Sequence, residues 1–491
     1  MPFSPKLLRI VRRVLLILAI LGTVVAVIIA IENWRGNRAW HQYAAEQTAK
    51  GVNLTELPQP SSLPAESNFM KTPTLDRFLW ESSGSAALQE FFTRNNIPTL
   101  APSKGFGWQH GRTLDFKSYI ERYGYAEAKK TENSSFTAET LFTLQKPMTG
   151  VFEELRLAAR VRSESQLARK SSINRTDPFS SAFASFQFVR ALVIAQSAHA
   201  CAALSTDQPE VALYDTLAVL KFSRGLAEAP DPILVETMIG TVSFGYALQP
   251  TWEGLQKRSW NEDQLALLAQ ELARADLVNS LDRSLQTERL AANVMMDQLN
   301  WRKNMPFDVI KQFKTLAWFL YFPSGWVQQN KVRSNQWSDQ IHEALTSRGT
   351  AAFLAKLQHI DDSAKELGGP LSPYTSIVSI IIPAHKRIAE NVIQKQSLLN
   401  VAITACALER HWLAHGNYPE RLTELVPTYL DKVPLDIIDG QPLHYRRTDN
   451  GKFALYSVGL DGKDDSGKPA KSNNADETGD WAWPQPAASG P

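Results

Sequence analysis

The residues best placed to do chemistry lie near the C-terminus. They are the carboxylates of Gly459-Leu460-Asp461-Gly462-Lys463-Asp464-Asp465-Ser466-Gly467, with Asp476 and Asp480 following. Carboxylates crowded on a glycine-rich loop repel one another unless water or a shared cation screens them. A hard cation such as Ca2+ takes about six to eight oxygens from carboxylates, carbonyls and water, and a flexible loop can supply them. The spacing departs from the EF-hand pattern, so a helix–loop–helix site is excluded. The competing reading is a solvated acidic loop.

Other constellations carry less. His411 and His415 stand one helical turn apart, a spacing that can bind zinc. The metalloprotease pattern needs a Glu directly after the first His, and Trp412 stands there. Glu409 is the nearest third ligand, yet its helix is expected to pack on the C-terminal sheet, so a structural pair is the expectation. The chain has neither a Gly-x-Ser-x-Gly elbow nor a P-loop. Cys201 and Cys406 are the only cysteines, too few for a four-ligand zinc cluster or a disulfide framework. Glu153-Glu154 and Glu236 read as solvent-facing helix residues.

The elements around the acidic loop are legible. Ile388, Val392, Ile393, Leu398, Leu399, Ile403 and Leu408 recur at helical spacing, predicting a helix from His385 to His415 that Gly416-Asn417 stops. A short helix follows at Leu422–Val426. Leu443–Arg446 and Phe453–Ser457 read as strands joined at Asp449-Asn450-Gly451, a strong hairpin signal.

This segment resembles the C-terminal domain of the major pseudopilins of type II secretion. The matching features are the helix ending at Gly416, then Asn417-Tyr418-Pro419, Leu425-Val426-Pro427, Val433-Pro434, Asp436, Gly440-Gln441-Pro442, Tyr445, Leu455-Tyr456-Ser457, Gly459, Asp461-Gly462, Asp476 and Trp481. The resemblance implies a structural Ca2+ in the loop after the last strands. Asp461 then matches the first loop aspartate and Asp476 the one before the final Trp. Asp464 and Asp465 fall inside the same loop. The N-terminus departs from that family, with no Gly-Phe processing site and no Glu within the apolar run. Prepilin-type cleavage and assembly into a pilus are therefore not expected.

Val14 to Ile31 is uninterrupted apolar sequence. At about 1.5 Å per residue it spans roughly 27 Å, close to a bilayer core. Lys6, Arg9, Arg12 and Arg13 precede it, which places the N-terminus in the cytoplasm and the bulk outside. An uncleaved anchor is expected over a signal peptide, because the run is long and no small-x-small site follows. Trp34, Trp40 and Tyr43 suit the far interface. A formal net charge of +2 offers no basic field for nucleic acid.

The middle of the chain reads as helices in series. Thr137 caps one; Phe152–Val161, Phe179–Leu204, Glu210–Ala227, Ile233–Gln249, Asn261–Ala275 and Leu285–Asn300 follow. The pair around Asp207-Gln208-Pro209 reads as a helical hairpin packed on small residues. Phe313–Val327 reads as a core helix, with an interfacial helix returning to the membrane as the alternative, and Ser376–Ile382 reads as a short buried apolar stretch. Trp252-Glu253-Gly254-Leu255, Trp260, Gln264-Leu265 and Asn68-Phe69 give the whole chain a resemblance to uncharacterised membrane-anchored proteins of Verrucomicrobia and Planctomycetes.

The expected fold is mainly α: an N-terminal transmembrane helix, a helical bundle or irregular helical array, and a small α+β pseudopilin-like domain with an antiparallel sheet. The expected segments are a cytoplasmic stretch 1–13, a membrane helix 14–31, and a juxtamembrane helix with Pro-rich linker 32–74. A helical ectodomain 75–368, a C-terminal domain 369–484 and a tail 485–491 complete the chain. The expected function is binding or scaffolding at the bacterial inner membrane, facing the periplasm. Its expected partners are membrane lipid and envelope or secretion-system proteins. The alternative is a periplasmic hydrolase with its site in the helical domain.

Overall fold

The computed structural model describes residues 5–54, 63–80, 90, 105–123, 136–167, 183–230, 232–300, 323–350, 352–366, 372–375, 378–449, 451–469 and 479–486. Most of the Pro-rich linker, the apolar run 313–322, the turn residue Asn450 and the expected ligand Asp476 lie outside the described residues.

The fold is mainly α-helical, with one long apolar N-terminal helix and a small three-stranded antiparallel sheet near the C-terminus, as expected. In chain order the helices are α1 Pro5–Ala49, α2 Pro73–Trp80, α3 Phe116–Tyr123, α4 Ala138–Gln145, α5 Thr149–Val161, α6 Phe183–Ser205 and α7 Pro209–Ala227. They continue with α8 Leu234–Lys257, α9 Glu262–Ala273, α10 Leu277–Asn300, α11 Ser324–Thr346, α12 Ala352–Glu366 and α13 Val378–His415. The chain divides into two compact units. One comprises Met1–Glu56, Arg289–Gln340 and Ile360–Ala384; the other comprises Leu57–Glu288, Ile341–His359 and His385–Pro491.

The first unit is built on α1. This helix runs unbroken from the apolar run to Ala49 and stops at Gly51, whose φ of +78° suits a left-handed helix terminus. It is long and apolar enough to cross a membrane. Its apolar side chains are bare, with Leu16 61% and Leu21 60% exposed. Glu32, Tyr43 and Gln47 further along are buried. The cover comes from α11, which lies alongside in the same direction. Gly325 meets Gly36, Lys331 Nζ stands 3.8 Å over the Trp40 ring, and Asp339 meets Tyr43 and Gln47.

A polar network holds that contact. Arg289 on α10 donates to Asn335 Oδ1 at 2.6 Å, Asp339 Oδ1 at 2.8 Å and Tyr43 Oη at 2.6 Å. The Tyr43 hydroxyl donates in turn to Asp339 Oδ2 at 2.6 Å, and Asn293 and Asn335 exchange amide hydrogen bonds. Buried polar groups persist only when paired in this way.

In the second unit α6 and α7 form the expected hairpin. Asp207 takes a left-handed φ of +55°, and Pro209 opens α7 at its first position, where its missing N–H costs nothing. Ala200, Ala203, Ala212 and Ala218 are all buried there, letting the helices approach closely. Thr137 caps α4 and Asn261 caps α9, the latter reciprocated by Gln264.

Three helix boundaries differ from expectation. α8 passes through Pro250 to Lys257, because Trp252 and Leu255 continue its buried side. α10 begins at Leu277, eight residues early by numbering, with Leu277, Val278 and Leu281 buried. α13 begins at Val378 and takes in residues 378–382 of the stretch read as a separate apolar segment, running on through Pro383.

The sheet comprises β1 His444–Arg447, β2 Phe453–Ser457 and β3 Trp481–Ala482, with β2 in the middle. His444 pairs with Tyr456 and Ser457 with Trp481, so both chain segments flanking the acidic loop belong to one sheet. The Trp483 ring lies 5.8 Å from that of Trp108, tilted by 46°, and Trp252 Nε1 donates to Pro484 O at 2.9 Å. The C-terminal strands thus pack within the same unit as α8.

Candidate metal centre

The acidic loop leaves β2 and returns as β3. Its base is closed by a tight backbone approach: a Cβ on Gly459 would stand 2.2 Å from Gly479 O, so only glycine fits. Over residues 461–467 the loop folds on its own carboxylates. Asp461 accepts from Lys463 N at 3.2 Å. Asp464 Oδ1 accepts from Ser466 N at 2.7 Å and from Tyr456 Oη at 3.0 Å. The Ser466 N–H in particular holds the Asp464 carboxyl below the usual range.

Asp480 is the buried member, 1% exposed. Its Oδ2 accepts from Gly467 N at 2.7 Å, and the Asp465 amide also stabilises it. Its Oδ1 is buried with no hydrogen-bond partner among the described residues. Burial pushes this carboxyl up, and the neighbouring charges of Asp464 and Asp465 add to the effect. The structure therefore brings Asp464 and Asp465 to Asp480, while Asp461 is bonded to its own loop.

A second group lies beside the first. His444 stacks on Tyr456, with ring centroids 5.0 Å apart and planes 15° apart. Its Nδ1 stands 3.4 Å from Asp464 Oδ2 and its Nε2 3.6 Å from Asp439 Oδ2. Ligand atoms of Asp436, Asp439 and His444 lie within 4.8 Å of one another, close enough to share a metal ion. Asp436 is already occupied as a brace. It accepts from Ile438 N at 2.9 Å, Ser457 Oγ at 2.9 Å and Val458 N at 2.8 Å. Those bonds take three of a carboxylate's roughly four acceptor positions. Burial nonetheless raises its pKa.

Asp439 and His444 were not singled out from sequence, and Asp480 stood among the crowded carboxylates but outside the ligand set that the resemblance implies. The available signals were an Asp directly before the final strand's Trp and a His opening the strand after an Asp-Gly turn. Neither signal reveals burial.

The other candidates resolve into structural roles. His411 and His415 stack at 4.2 Å, and each Nδ1 bonds a backbone carbonyl, Asn417 O at 2.9 Å and His411 O at 3.0 Å. Glu409 is taken by the Tyr418 hydroxyl and by Arg258. Of these side chains, Glu409 and Arg258 border a shallow crevice with Trp260, Leu265 and Leu413. Both cysteines are free and buried, and burial pushes the Cys406 thiol up to about 12.

One acid–base pair stands apart in the helices. Asp215 on α7, fully buried, binds His199 Nδ1 at 2.7 Å and Arg156 NH1 at 3.0 Å. The imidazole lies 4.8 Å from the Phe142 ring and 5.1 Å from that of Phe152. An Asp-oriented imidazole is half of a nucleophile-activating pair. Among the described residues, no Ser, Thr or Cys hydrogen-bonds to it, and the carboxylate is shared with an arginine.

No protein-family model, no curated protein and no solved structure matches the chain.

Proposed function

We propose that the protein is a single-pass anchor-and-scaffold protein of a bacterial inner membrane. Its N-terminus lies in the cytoplasm and its bulk in the periplasm, and it is accessory to a type II secretion or pilus-like envelope assembly. One observation carries this reading: α1 passes unbroken from its bare apolar run into the covered polar contacts of Tyr43, Gln47 and Asp339. A rigid rod joined in this way suits a protein that holds a folded body at a fixed place beside a membrane. The basic residues before the run favour the stated orientation.

The C-terminal loop is read as a structural Ca2+ site of the pseudopilin kind. Asp461, Asp464, Asp465 and Asp476 are its expected ligands, and Asp480 joins them. The support is the buried, unpartnered Oδ1 of Asp480 beneath exposed carboxylates, since a cation would relieve both the missing bond and the repulsion.

The test is thermal unfolding of the full chain in detergent, with millimolar calcium and again with a chelator. A ligand bound only by the folded state at about a hundred times its Kd adds roughly 2.7 kcal/mol. The expected result is an upward shift with calcium that Asp480→Asn and Asp464→Ala abolish. No shift at millimolar calcium would leave the loop as solvated acid and remove the calcium proposal.

A further inference from the structure

Reading α1 as a membrane span, we infer that the folded body itself touches the bilayer, through a second surface formed at the N-terminal end of α11. The partner is the lipid headgroup layer.

The depth follows from helix geometry. The apolar run ends at Ile31, and Asn33 lies two residues on, about 3 Å further along the axis. The headgroup layer beyond the hydrocarbon is roughly 5–7 Å thick on each side. Asn33 therefore sits within it. Asn33 Oδ1 accepts from Ser324 Oγ and from Gly325 N, both at 2.9 Å. Trp326 Nε1 donates to Glu32 Oε2 at 3.0 Å. A Cβ on Gly325 would lie 1.8 Å from Glu32 O, so the two backbones are in direct contact. The first turn of α11 is thus held at the depth of residues 32 and 33, although nearly 300 residues of chain separate them.

A third segment reaches the same level. Tyr374 meets the Trp326 ring edge-on at 6.0 Å, and Asn330 Nδ2 donates to Pro373 O at 2.8 Å. Trp34, 62% exposed, stands one residue past Asn33. Trp34, Trp326 and Tyr374 therefore lie at the level where amphipathic rings are favoured, at the boundary of hydrocarbon and headgroups. From there α11 climbs away from the bilayer, passing Trp40 at Lys331 and Tyr43 at Asp339. Each α11 residue consequently has its own height, with Gln336 about 18 Å above Ser324.

The test uses the full chain in lipid bilayers with an environment-sensitive fluorophore on one introduced thiol. Cys201 and Cys406 are buried, so the label goes to the new site. Trp34→Cys, Ser324→Cys and Gln336→Cys are compared, with a nitroxide on the lipid headgroup as quencher. Label 324 is expected to lose about as much emission as label 34, and at least about twofold more than label 336. Quenching at 34 without quenching at 324 overturns the inference and leaves the anchor standing. Quenching at neither overturns the membrane span and the inference with it. Photoactivatable headgroup lipids supply a readout on the unaltered chain: adducts are expected on the peptides carrying Trp326 and Tyr374. Adducts confined to α1 would again overturn the second surface.

Discussion

Gly36 and Gly325 face each other where α1 and α11 cross, and neither has room for a methyl group. A Cβ on Gly36 would stand 2.1 Å from Gly325 O, and one on Gly325 would stand 1.8 Å from Glu32 O. Neither is relieved by moving a flexible side chain, because the obstacle is backbone. Gly36→Ala and Gly325→Ala are each expected to cost about 1–3 kcal/mol, the range of core overpacking. Gly150→Ala on α5 is the matched control, since nothing lies within 4 Å of its added methyl. That change should be neutral or stabilising by up to about 1 kcal/mol. Denaturant unfolding of the three variants in detergent decides the matter; equal stabilities would mean the crossing is looser than described.

Arg289 is the keystone of the first unit. Its side chain is 2% exposed and holds Tyr43, Asn335 and Asp339 together. Arg289→Met keeps most of the volume and leaves the Asp339 carboxylate without its guanidinium partner. The expected loss is roughly 1–3 kcal/mol, the cost of unmade hydrogen bonds to a charged group, because Asp339 is 35% exposed and water reaches it. Arg289→Met with Asp339→Leu should recover part of that loss, because both partners of the pair are then apolar. Protease sensitivity after Gln47, where α1 would lose its cover, gives a second readout. A single variant as stable as the parent would mean that water reaches the whole network.

A buried carboxyl and a half-buried lysine in the second unit make stability depend on pH in opposite senses. Burial raises the Glu253 carboxyl, which accepts from Leu114 N at 2.7 Å. The folded state therefore keeps a proton that the unfolded state releases, and stability falls as pH rises from the ordinary Glu range near about 4.3. Glu253→Gln retains the acceptor and should flatten that decline. Burial lowers Lys395 to about 8, with its ammonium pressed toward Gly245. Its penalty is full below about 8 and fades towards the ordinary lysine value of about 10.4, so stability rises through that window. Lys395→Met should add on the order of 2 kcal/mol at neutral pH and remove the alkaline rise. Unfolding temperatures measured from pH 4 to 10 separate the two; slopes unchanged by either substitution would refute both assignments.

Local features of the fold were legible because local chemistry sets them. The apolar run Val14–Ile31, the Thr137 and Asn261 caps, the Gly416 stop and the hairpin near Gly451 each follow from neighbours a few residues apart. The polar network was not legible. Tyr43 reads in sequence as an interfacial ring and Gln47, Arg289, Asn293, Asn335 and Asp339 as solvent-facing helix residues; their cover comes from partners far along the chain. Pro250 misled for a related reason, since tertiary packing around Trp252 outweighs the hydrogen bond that a helical proline forfeits. At the candidate metal centre the acidic loop was visible as a charge pattern. The burial of Asp480 and the position of His444 between Asp439 and Asp464 depend on strand pairing, which spacing alone does not supply.

The separation between Tyr43 and Arg289, 246 residues, also sets an order of events during synthesis. A ribosome adding about 5–20 residues per second needs roughly 12–50 s to make that stretch. Throughout that interval α1 has been translated, yet the groups that will cover Tyr43, Gln47 and Asn33 do not exist. The newborn helix must wait with its future contact face open and within reach of other chains. Any chaperone or second nascent copy that engages the chain during that interval finds this face uncovered.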